Sequence, residues 1–415
     1  MFLTRGLPQR RKDAKTQRIR KAQTLNPNKE HEEKTITTHT EYTFIENKAD
    51  LEKAAMELEG HPEIGVDLEG DSMFHYQEKV CLFQIASPSS NFLIDPLAVK
   101  DLSPLAPVFA DKKVKKILHG ADYDIRSLYR DFTIEVNSLF DTQIAARFLG
   151  MKETGLASLL LKKFDVVSDK RFQKKDWSRR PLPEPMLDYA VQDICYLLPL
   201  AHILTQELIE KNLLFCVEEE CRLLTGVRPN SSKKKPLFLN FKGASKLDPR
   251  DLAVLEKILC MRDEIAKRRD CPHFKVLGNK PIFEITRFKP LNKRDLSNIQ
   301  GLSPKLISLM GDEIVEKVKE GFELPSSKLE TFPRKVVKRL RAKETSRIKA
   351  LKKWRERLGQ KRGLDPSLIC TNAQIQALAI ANPKEPEEMK GLQEIRKWQV
   401  ELFGPGICHV LQDTV

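Results

Sequence analysis

Hydrophobic and polar residues alternate along the stretch from Glu63 to Gly70, which reads Glu-Ile-Gly-Val-Asp-Leu-Glu-Gly. Three aliphatic side chains fall on one side of this alternation, and the acids Asp67 and Glu69 fall on the other. A period of two residues is typical of a β-strand with one apolar face. The pattern therefore predicts a strand that carries two carboxylates side by side.

The apolar runs around this stretch predict an α/β arrangement from Tyr42 onward. Strands are predicted at Ile64–Glu69, Val80–Ala86, Asn91–Ile94 and Val114–Leu118. Helices are predicted at Leu51–Leu58, Asp122–Arg130, Thr142–Leu149 and Gly155–Phe164. Short connections between three of the strands predict an antiparallel portion, and the order of elements predicts a mixed sheet with helices on its faces.

A long amphipathic helix is predicted from Pro185 to Glu210. Its apolar residues recur at intervals of three and four, which places them on one stripe. Tyr189 and Asp193 are four residues apart and therefore share a face of this helix. At about 100° per residue that face lies well to one side of the stripe, so neither residue is predicted to be a simple core residue.

Beyond the polar stretch Asn230–Pro236 the chain is predicted to be helical, and it repeats itself at an offset of 93 residues. Apolar positions align with apolar positions, and asparagine, proline and glycine align with their own kind. The aligned pairs are Leu255 and Ile348, Ile258 and Leu351, Ile265 and Leu358, Val276 and Ile369, Asn279 and Asn372, Ile282 and Ile375, Pro290 and Pro383, Gly311 and Gly404, and Ile314 and Ile407. Two copies of one small helical domain are the simplest explanation.

The charge balance indicates a polyanionic partner. The chain has 72 Lys and Arg residues against 58 acids, a net charge of +14. This excess alone fits either nucleic acid or an anionic membrane. No apolar run approaches the roughly 18 residues of a transmembrane helix, so no such helix is predicted. Nucleic acid, and not a membrane, is the expected partner.

The first 40 residues are polar and basic and are predicted to form a disordered leader, residues 1–40. Met1–Lys21 carries eight Lys or Arg residues against one Asp and lacks the apolar run of a secretory signal. The eight cysteines include no Cys-x-x-Cys pair. They are typical of reduced, structural cysteines, so a cytoplasmic protein is expected.

The two acids of the first strand suggest a metal site, because neighbouring carboxylates repel each other and lose water on burial. Carboxylate oxygens are natural ligands of Mg²⁺ and Mn²⁺. The alternative is a half-exposed strand with a solvated acidic face, and the strand alone does not decide between them. A phosphodiesterase site with two cations about 3.5–4 Å apart needs about four carboxylates. Asp193 is a third candidate, with Tyr189 one turn before it.

The fourth carboxylate is expected from residues 118–128, where a predicted strand runs into a helix. Asp122 and Asp124 compete for this role, and one of them would then merely cap the helix. Spacing does not decide between the two.

Three segments resemble the exonuclease motifs of the DEDD superfamily, tyrosine subclass: Asp67-Leu-Glu69, His119-Gly-Ala-Asp-Tyr-Asp124-Ile, and Tyr189-Ala-Val-Gln-Asp193. Four more segments resemble the ribonuclease D family: Leu139–Thr142, Lys174–Ser178, Arg180–Leu182 and Tyr196–Pro199. The repeat resembles the paired helicase-and-RNase-D C-terminal (HRDC) domains of bacterial ribonuclease D. The resemblance covers the chain from about Tyr42 to the C-terminus, and the basic leader departs from the family pattern.

The resemblance implies a fold and a domain organisation. It implies a ribonuclease H-like α/β nuclease domain, a mixed sheet with flanking helices, at residues 41–225. A linker at residues 226–245 and two all-α HRDC domains at residues 246–327 and 330–415 are expected to follow.

The resemblance also implies roles for the site residues. It favours Asp124 over Asp122, because Asp124 is the acid followed by isoleucine. Asp67 is then implied as the ligand that bridges two metal ions. Glu69 and Asp193 would complete the ion beside the attacking water, and Asp124 would lie on the leaving-group side.

Tyr189 is implied to orient the attacking water by a hydrogen bond, because a tyrosine pKa of about 10 disfavours full deprotonation. In the histidine subclass a histidine would stand five residues before Asp193, and this chain has Asp188 there. His119 is predicted to be a structural residue at a strand end. Gln84 is predicted either to neighbour the site or merely to bond to backbone.

Phosphate contacts are predicted in two places. Residues 334–362 hold fourteen Lys or Arg residues against two acids, and this basic face is predicted to contact phosphates through Lys349, Lys352, Lys353 and Arg355. Trp354 aligns with Met261 in the repeat and is expected to be core. Nearer the predicted site, Lys174, Lys175 and Arg180 are candidate contacts. The alternatives are a solvated loop for the lysines and pairing with an acid for the arginine.

Together these features predict a 3′→5′ exoribonuclease that trims RNA 3′ ends by hydrolysis and releases nucleoside 5′-monophosphates. Two divalent ions, Mg²⁺ or Mn²⁺, are expected as cofactors, and RNA is expected as the partner, without an obligate protein partner. The resemblance implies tRNA precursors as the substrate class. Two alternatives stay open: an exonuclease that acts on DNA, and a non-catalytic nucleic-acid adaptor on a nuclease fold.

Overall fold

The computed structural model describes residues 41–229, 235–333 and 340–414. The predicted leader therefore lies outside the described residues, as does the start of the predicted basic face at residues 334–339. In the described part, no helix combines the length and the apolar character needed to cross a bilayer.

A six-stranded mixed sheet forms the centre of the first domain in the described residues. Its strands are β1 Thr43–Ile45, β2 Glu63–Gly70, β3 Val80–Ala86, β4 Asn91–Ile94, β5 Lys115–Leu118 and β6 Leu139–Asp141. They lie in the order β1-β4-β3-β2-β5-β6. The pairs β2–β3 and β3–β4 are antiparallel, and the other three pairs are parallel. The predicted mixed sheet with an antiparallel portion is thus confirmed.

Helices of residues 41–229 pack around this sheet. They are α1 Lys48–Glu59, α2 Pro96–Val99, α3 Ala106–Ala110, α4 Asp122–Phe132, α5 Thr142–Phe148, α6 Leu156–Phe164, α7 Glu184–Cys195, α8 Leu197–Glu210 and α9 Leu214–Leu224. Helix α7 packs against β2, β3 and β4, and α8 packs against β2, β5 and α5. The interior strand β2 therefore has one helix carrying Tyr189 and Asp193 packed directly against it.

The prediction of a single long helix from Pro185 to Glu210 is wrong, because the helix is interrupted at Tyr196, between α7 and α8. Pro199 explains the break. It has no N–H to donate to the carbonyl of Cys195, and its ring would clash with that carbonyl in a continuous helix. Pro199 instead lies in the first turn of α8, where an intrahelical donor is not needed.

The repeat is visible helix by helix. The first copy consists of α10 Pro249–Arg268, α11 His273–Val276, α12 Asn279–Phe288 and α13 Pro304–Phe322. The second consists of α14 Ala342–Arg362, α15 Pro366–Ile369, α16 Asn372–Ala381 and α17 Lys397–Gln412. Each helix of the second copy begins 93 residues after its counterpart. The predicted offset therefore describes two copies of one helical fold.

The two helical copies relate differently to the core of the first domain. The buried side chains of the second copy form one continuous hydrophobic cluster with those of the first domain. Trp398 joins them, since its ring packs edge-on against Phe148 with centroids 5.0 Å apart and its Nε1 donates to Glu220 at 2.8 Å. The first copy has a separate core.

The predicted linker at residues 226–245 is only partly a linker. Residues 230–234 lie outside the described part, and Leu237–Asn240 forms a 3₁₀ turn. Phe238 and Phe241 are buried in the core of the first helical copy. We therefore place the start of the first helical domain near residue 236.

Candidate active site

Strand β2 positions the first two acids of the site. Its register pairs Asp67 with Gln84 of the antiparallel β3. Because side chains alternate between the faces of a strand, Asp67 and Glu69 point to the same side. Ile64 and Val66, on the opposite face, are fully buried in the core, and this apolar packing fixes the strand's orientation.

Helix α7 brings the third acid to the same place. One carboxylate oxygen each from Asp67, Glu69 and Asp193 lie within 4.8 Å of one another. Asp193 is buried, and the other two side chains are half-buried. The described residues thus place three carboxylates from a central strand and a crossing helix at a spacing that a single cation can bridge.

Asp124 lies next to this group, in the first turn of α4. It is 6% exposed, and its charge contributes to raising the pKa of Asp67. Asp122 faces away and forms a fork with Arg126, with N–O distances of 2.9 Å to each carboxylate oxygen. Of the two acids that spacing left open, the structure thus brings Asp124 to the cluster.

Asp141 holds the turn that places Asp124, and sequence reasoning missed it. Its carboxylate accepts the backbone N–H groups of Gly120 and Ala121 at 3.1 and 2.8 Å, just before α4. It also caps α5 by accepting two N–H groups there. An aspartate directly before a predicted helix was the available signal. His119 donates or accepts at Thr142 Oγ1, 2.9 Å away, which fits a structural residue at the strand end.

Tyr189 lies beside the acids and is 4% exposed. Its ring packs against those of Phe172 and Trp177, with centroid distances of 5.7 and 6.3 Å. Burial raises the pKa of Tyr189 above its usual value, and the charge and hydrogen bond of Asp193 add to the effect. The phenol is therefore protonated and acts as a hydrogen-bond donor.

The pKa values of all four acids of the site are raised above their usual values. Burial raises the pKa of Asp67 and of Glu69 well above usual values, and neighbouring acids raise them further. Burial and then Asp141 raise the pKa of Asp124 to about 8. Burial raises the pKa of Asp193 to about 6, against the hydrogen bond from Tyr189, which lowers it. Such a cluster is stabilised by protons or cations.

The donor set fits hard divalent cations. Every candidate ligand atom is a carboxylate oxygen, which Mg²⁺ and Mn²⁺ prefer over nitrogen or sulfur. The carboxylates would supply up to four negative charges, enough to balance two such ions. The residues present therefore fit a divalent-metal site.

Arg180 is not available for the predicted phosphate contact. Its guanidinium pairs with the buried Asp95 through two bonds of 2.5 and 2.7 Å. Its other N–H groups donate to the carbonyls of Cys81, Trp177 and Arg179. All five donors are thus used within the protein, and pairing with an acid is the alternative that the structure shows.

Arg355 is also structural. Its Nη1 donates to the carbonyl of Cys370 at 2.8 Å and to Asn372 Oδ1 at 3.2 Å. Arg262 makes the same pair of bonds in the first copy, to Leu277 and Asn279. Both copies thus use this arginine to join two helices, and the phosphate contact of Arg355 stays a prediction. Trp354 packs edge-on against Phe403, as expected for a core residue.

The predicted lysine contacts have exposed side chains. Lys349, Lys352 and Lys353 are exposed on α14. Lys174 and Lys175 are exposed beside Phe172, which packs on Tyr189. These five lysines remain candidates for contact with a polyanion.

The loop between β2 and β3 joins the site to the first helical copy. Tyr76 donates its hydroxyl to Asp263 at 2.9 Å and its backbone N–H to Asp270 at 3.1 Å. The ring nitrogens of His75 lie 2.7 Å from Asp270 Oδ2 and 3.0 Å from Ser178 Oγ. This loop begins directly after the strand that carries Glu69.

The chain matches two family models. The model described as 3′-5′ exonuclease matches residues 42–209. The model described as HRDC domain matches twice, at residues 251–318 and 344–411. The exonuclease match spans the sheet and the helix that carry the acidic cluster, and the two HRDC matches fall on the two helical copies.

Similar proteins cover most of the chain. Ribonuclease D of Pseudomonas paraeruginosa is 28% identical over 91% of this chain and 100% of its own length. Ribonuclease D of Haemophilus influenzae is 30% identical over 69% of this chain and 72% of its own length. The chain belongs to the ribonuclease D family. The crystal structure of Escherichia coli RNase D aligns with a TM-score of 0.67 and 26% identity, covering 90% of this chain and 99% of the other.

Membership of the ribonuclease D family makes the chain a 3′–5′ exoribonuclease with an RNA substrate. The predicted family, fold class and activity are thereby confirmed. The exonuclease family implies dependence on divalent metal, consistent with the acidic cluster of Asp67, Glu69 and Asp193.

Proposed function

We propose that this protein trims the 3′ ends of tRNA precursors with two divalent ions, Mg²⁺ or Mn²⁺, and releases nucleoside 5′-monophosphates by hydrolysis. The convergence of oxygens from Asp67, Glu69 and Asp193 within 4.8 Å carries the proposal. Buried Asp124 and the phenol of Tyr189 adjoin this cluster. The E. coli enzyme is described as an exoribonuclease involved in structured RNA processing, which supports the choice of a structured RNA.

Each residue has a proposed part in the reaction. Asp67 would contribute to both cation positions, Glu69 and Asp193 would hold the cation beside the attacking water, and Asp124 would hold the cation beside the leaving 3′ oxygen. The cations, when bound, supply charge neutralisation and a more acidic water. Tyr189 donates its phenolic hydrogen to orient that water, because its raised pKa keeps the hydroxyl protonated.

Substrate binding is proposed to be electrostatic. Lys174 and Lys175 closely follow Phe172, whose ring packs on Tyr189. Lys349, Lys352 and Lys353 lie on the second helical domain. Contacts from lysine to the phosphate backbone carry little sequence information. They would hold many RNAs alike, so that an accessible single-stranded 3′ end selects the substrate.

The test compares Asp67→Asn with the unchanged protein on a tRNA carrying extra 3′ residues. The variant is expected to lose digestion while it retains most RNA binding, because it removes a metal ligand and leaves the lysines. EDTA should likewise abolish release of mononucleotides from the unchanged protein. Full digestion by the variant in the presence of Mg²⁺ would refute the proposed site.

A matched single-stranded DNA distinguishes the substrate classes. Faster digestion of the DNA than of the RNA would replace the RNA proposal by a DNA-acting exonuclease. Binding without Mg²⁺-dependent release of mononucleotides from either strand would indicate a non-catalytic adaptor. The presence of Asp67, Glu69, Asp124, Asp193 and Tyr189 together argues against that adaptor.

A further inference from the structure

Gln84 is an unusual residue for its position. It lies in the middle of β3, whose seven residues are all buried, and it is itself 0% exposed. A buried amide costs free energy unless its polar atoms are bonded. An apolar side chain of similar length would fill the same space without that cost, so packing alone does not account for the amide.

The partners of Gln84 belong to the acidic cluster and its helix. The strand register places Gln84 directly opposite Asp67, and residues at opposed positions project from the same face. With its nitrogen turned toward the acceptors around it, the amide donates to Asp67 Oδ2 and to the carbonyl of Ala190, each at 3.2 Å. The carbonyl of Ala190 can only accept, so it fixes which end of the amide faces this pair.

This amide joins two elements that carry the proposed ligands. Asp67 belongs to β2, and Ala190 belongs to α7. Ala190 immediately follows Tyr189 and precedes Asp193 by three residues. One side chain thus fixes both the rotamer of Asp67 and the distance from its strand to the helix of the phenol and the third acid.

We infer that Gln84 is a positioning residue for the metal site, holding one oxygen of Asp67 so that the other acids meet it at the spacing required by divalent cations. The inference rests on the proposed metal site. Groups that orient the ligands of a metal typically change its affinity by about 10–100-fold when they are removed. Gln84 does not touch the RNA or the reacting atoms in this role.

The test replaces Gln84 with methionine, which keeps the length and removes the N–H donors. Gln84→Met is expected to weaken binding of Mn²⁺, measured by titration calorimetry without RNA, by about 10–100-fold. The Mg²⁺ concentration for half-maximal activity should rise by a similar factor, and kcat at saturating Mg²⁺ should fall less. If the methionine variant does not fold, Gln84→Asn, whose amide is too short to reach both partners, takes its place with the same expected loss.

The matched control is Gln374→Met. Gln374 is a buried glutamine of the second helical domain that bonds to Glu394 and Gln399. This control loses a buried amide as well, but its Mn²⁺ affinity should equal that of the unchanged protein. Mn²⁺ affinity of Gln84→Met within twofold of the unchanged protein would overturn the inference and leave the metal site standing. Absence of Mn²⁺ binding by the unchanged protein would overturn the metal site and this inference with it.

Discussion

Tyr189 and Asp193 stand one turn apart on helix α7, and the charge of Asp193 adds to the burial that raises the pKa of the Tyr189 phenol. The group proposed to orient the attacking water therefore stays protonated beside a proposed metal ligand. The rings of Phe172 and Trp177 pack against the Tyr189 ring and limit its movement. A rigid donor of this kind requires no reorganisation when the reaction begins.

Replacing Tyr189 with phenylalanine is expected to lower kcat by about a hundredfold or more, because a positioned proton donor typically contributes that much. Binding of Mn²⁺ should persist, since the carboxylates remain. Single-turnover release of mononucleotide measures the effect. Tyr42→Phe is the control, because among the described residues the buried hydroxyl of Tyr42 has no hydrogen-bond partner. Equal losses in the two variants would contradict the role of Tyr189.

Asp124→Asn and Asp122→Asn form a second matched pair. The first is expected to lower kcat/KM by roughly a thousandfold, since it removes several kcal/mol of charge stabilisation beside the leaving oxygen. The second should leave activity within about twofold, because Asp122 is exposed and pairs with Arg126 at the surface. Steady-state digestion of one RNA at the same Mg²⁺ concentration compares kcat/KM of the two variants. A larger loss in Asp122→Asn than in Asp124→Asn would make Asp122 the metal ligand instead of Asp124.

The stability of the metal-free protein is expected to fall as pH rises. The pKa of Asp124 is raised from 3.8 to about 8 and that of Asp193 from 3.8 to about 6. The folded state thus binds more protons than the unfolded state between these values, and stability is lost as pH rises through the folded pKa values. Thermal unfolding in EDTA should show Tm decreasing between about pH 4 and 8, by roughly 2–4 °C for each kcal/mol lost.

Mg²⁺ should reverse this trend, because a bound cation replaces the protons and stabilises the ionised carboxylates. The rise in Tm caused by Mg²⁺ is therefore expected to be larger at pH 8 than at pH 5. The double variant Asp124→Asn/Asp193→Asn should show a weaker dependence on both pH and Mg²⁺. A Tm in EDTA that is constant across the range would contradict the described proton affinities.

Substitutions on the basic face of α14 are expected to change RNA binding without changing the stability of the protein. Replacing Lys349, Lys352 and Lys353 with glutamate should raise KM for a long structured RNA. The slope of binding against salt concentration should fall by about one unit for each phosphate that the protein no longer neutralises. Thermal stability should stay nearly unchanged because these side chains are exposed. Unaltered salt dependence in this triple variant would remove α14 from the binding surface.

Arg355→Ala is expected to have the opposite profile. It should cost about 2–3 kcal/mol of stability by leaving the carbonyl of Cys370 and the amide of Asn372 without their donor. Its salt dependence should match that of the unchanged protein. Chemical unfolding and RNA binding at several salt concentrations measure the two effects, and Arg262→Ala provides the equivalent loss in the first copy.

Arg180→Ala is expected to destabilise the protein without a specific loss of RNA affinity. Removing the guanidinium leaves Asp95 buried, 2% exposed, and unpaired, which typically costs about 3–5 kcal/mol. Chemical unfolding measures this loss, and RNA binding by the folded fraction provides the check. A variant of normal stability with weakened RNA binding would restore the phosphate contact predicted from the sequence.

The sequence predicted secondary structure best where a buried strand was long enough to show a clear hydrophobic pattern. Strand β2 differs from its prediction by one residue at each end, and β3 matches its prediction. Strands β1 and β6 were missed because each has three residues, too few to show a period of two. The break at Tyr196 was missed because an uninterrupted apolar stripe outweighed the effect of Pro199.

The site depended on information that spacing does not contain. Asp122 and Asp124 both lie in the first turn of α4, and only the tertiary fold directs one toward β2 and leaves the other with Arg126. The partner of Arg180 stands 85 residues away along the chain. The role of Arg355, in contrast, was readable, because Arg262 and Asn279 recur together 93 residues later.

The loop at residues 71–79 has a practical consequence for dissecting this protein. Tyr76 packs against the core of the first helical domain, and the same loop continues directly into the strand of the acids. A fragment that ends within residues 230–234 would expose the ring of Tyr76 to solvent. It would also lose the contacts that hold the loop following β2. Isolated catalytic fragments should therefore aggregate more readily and be less well ordered around Glu69 than the full chain. Rates measured on such fragments would underestimate the activity of the full chain.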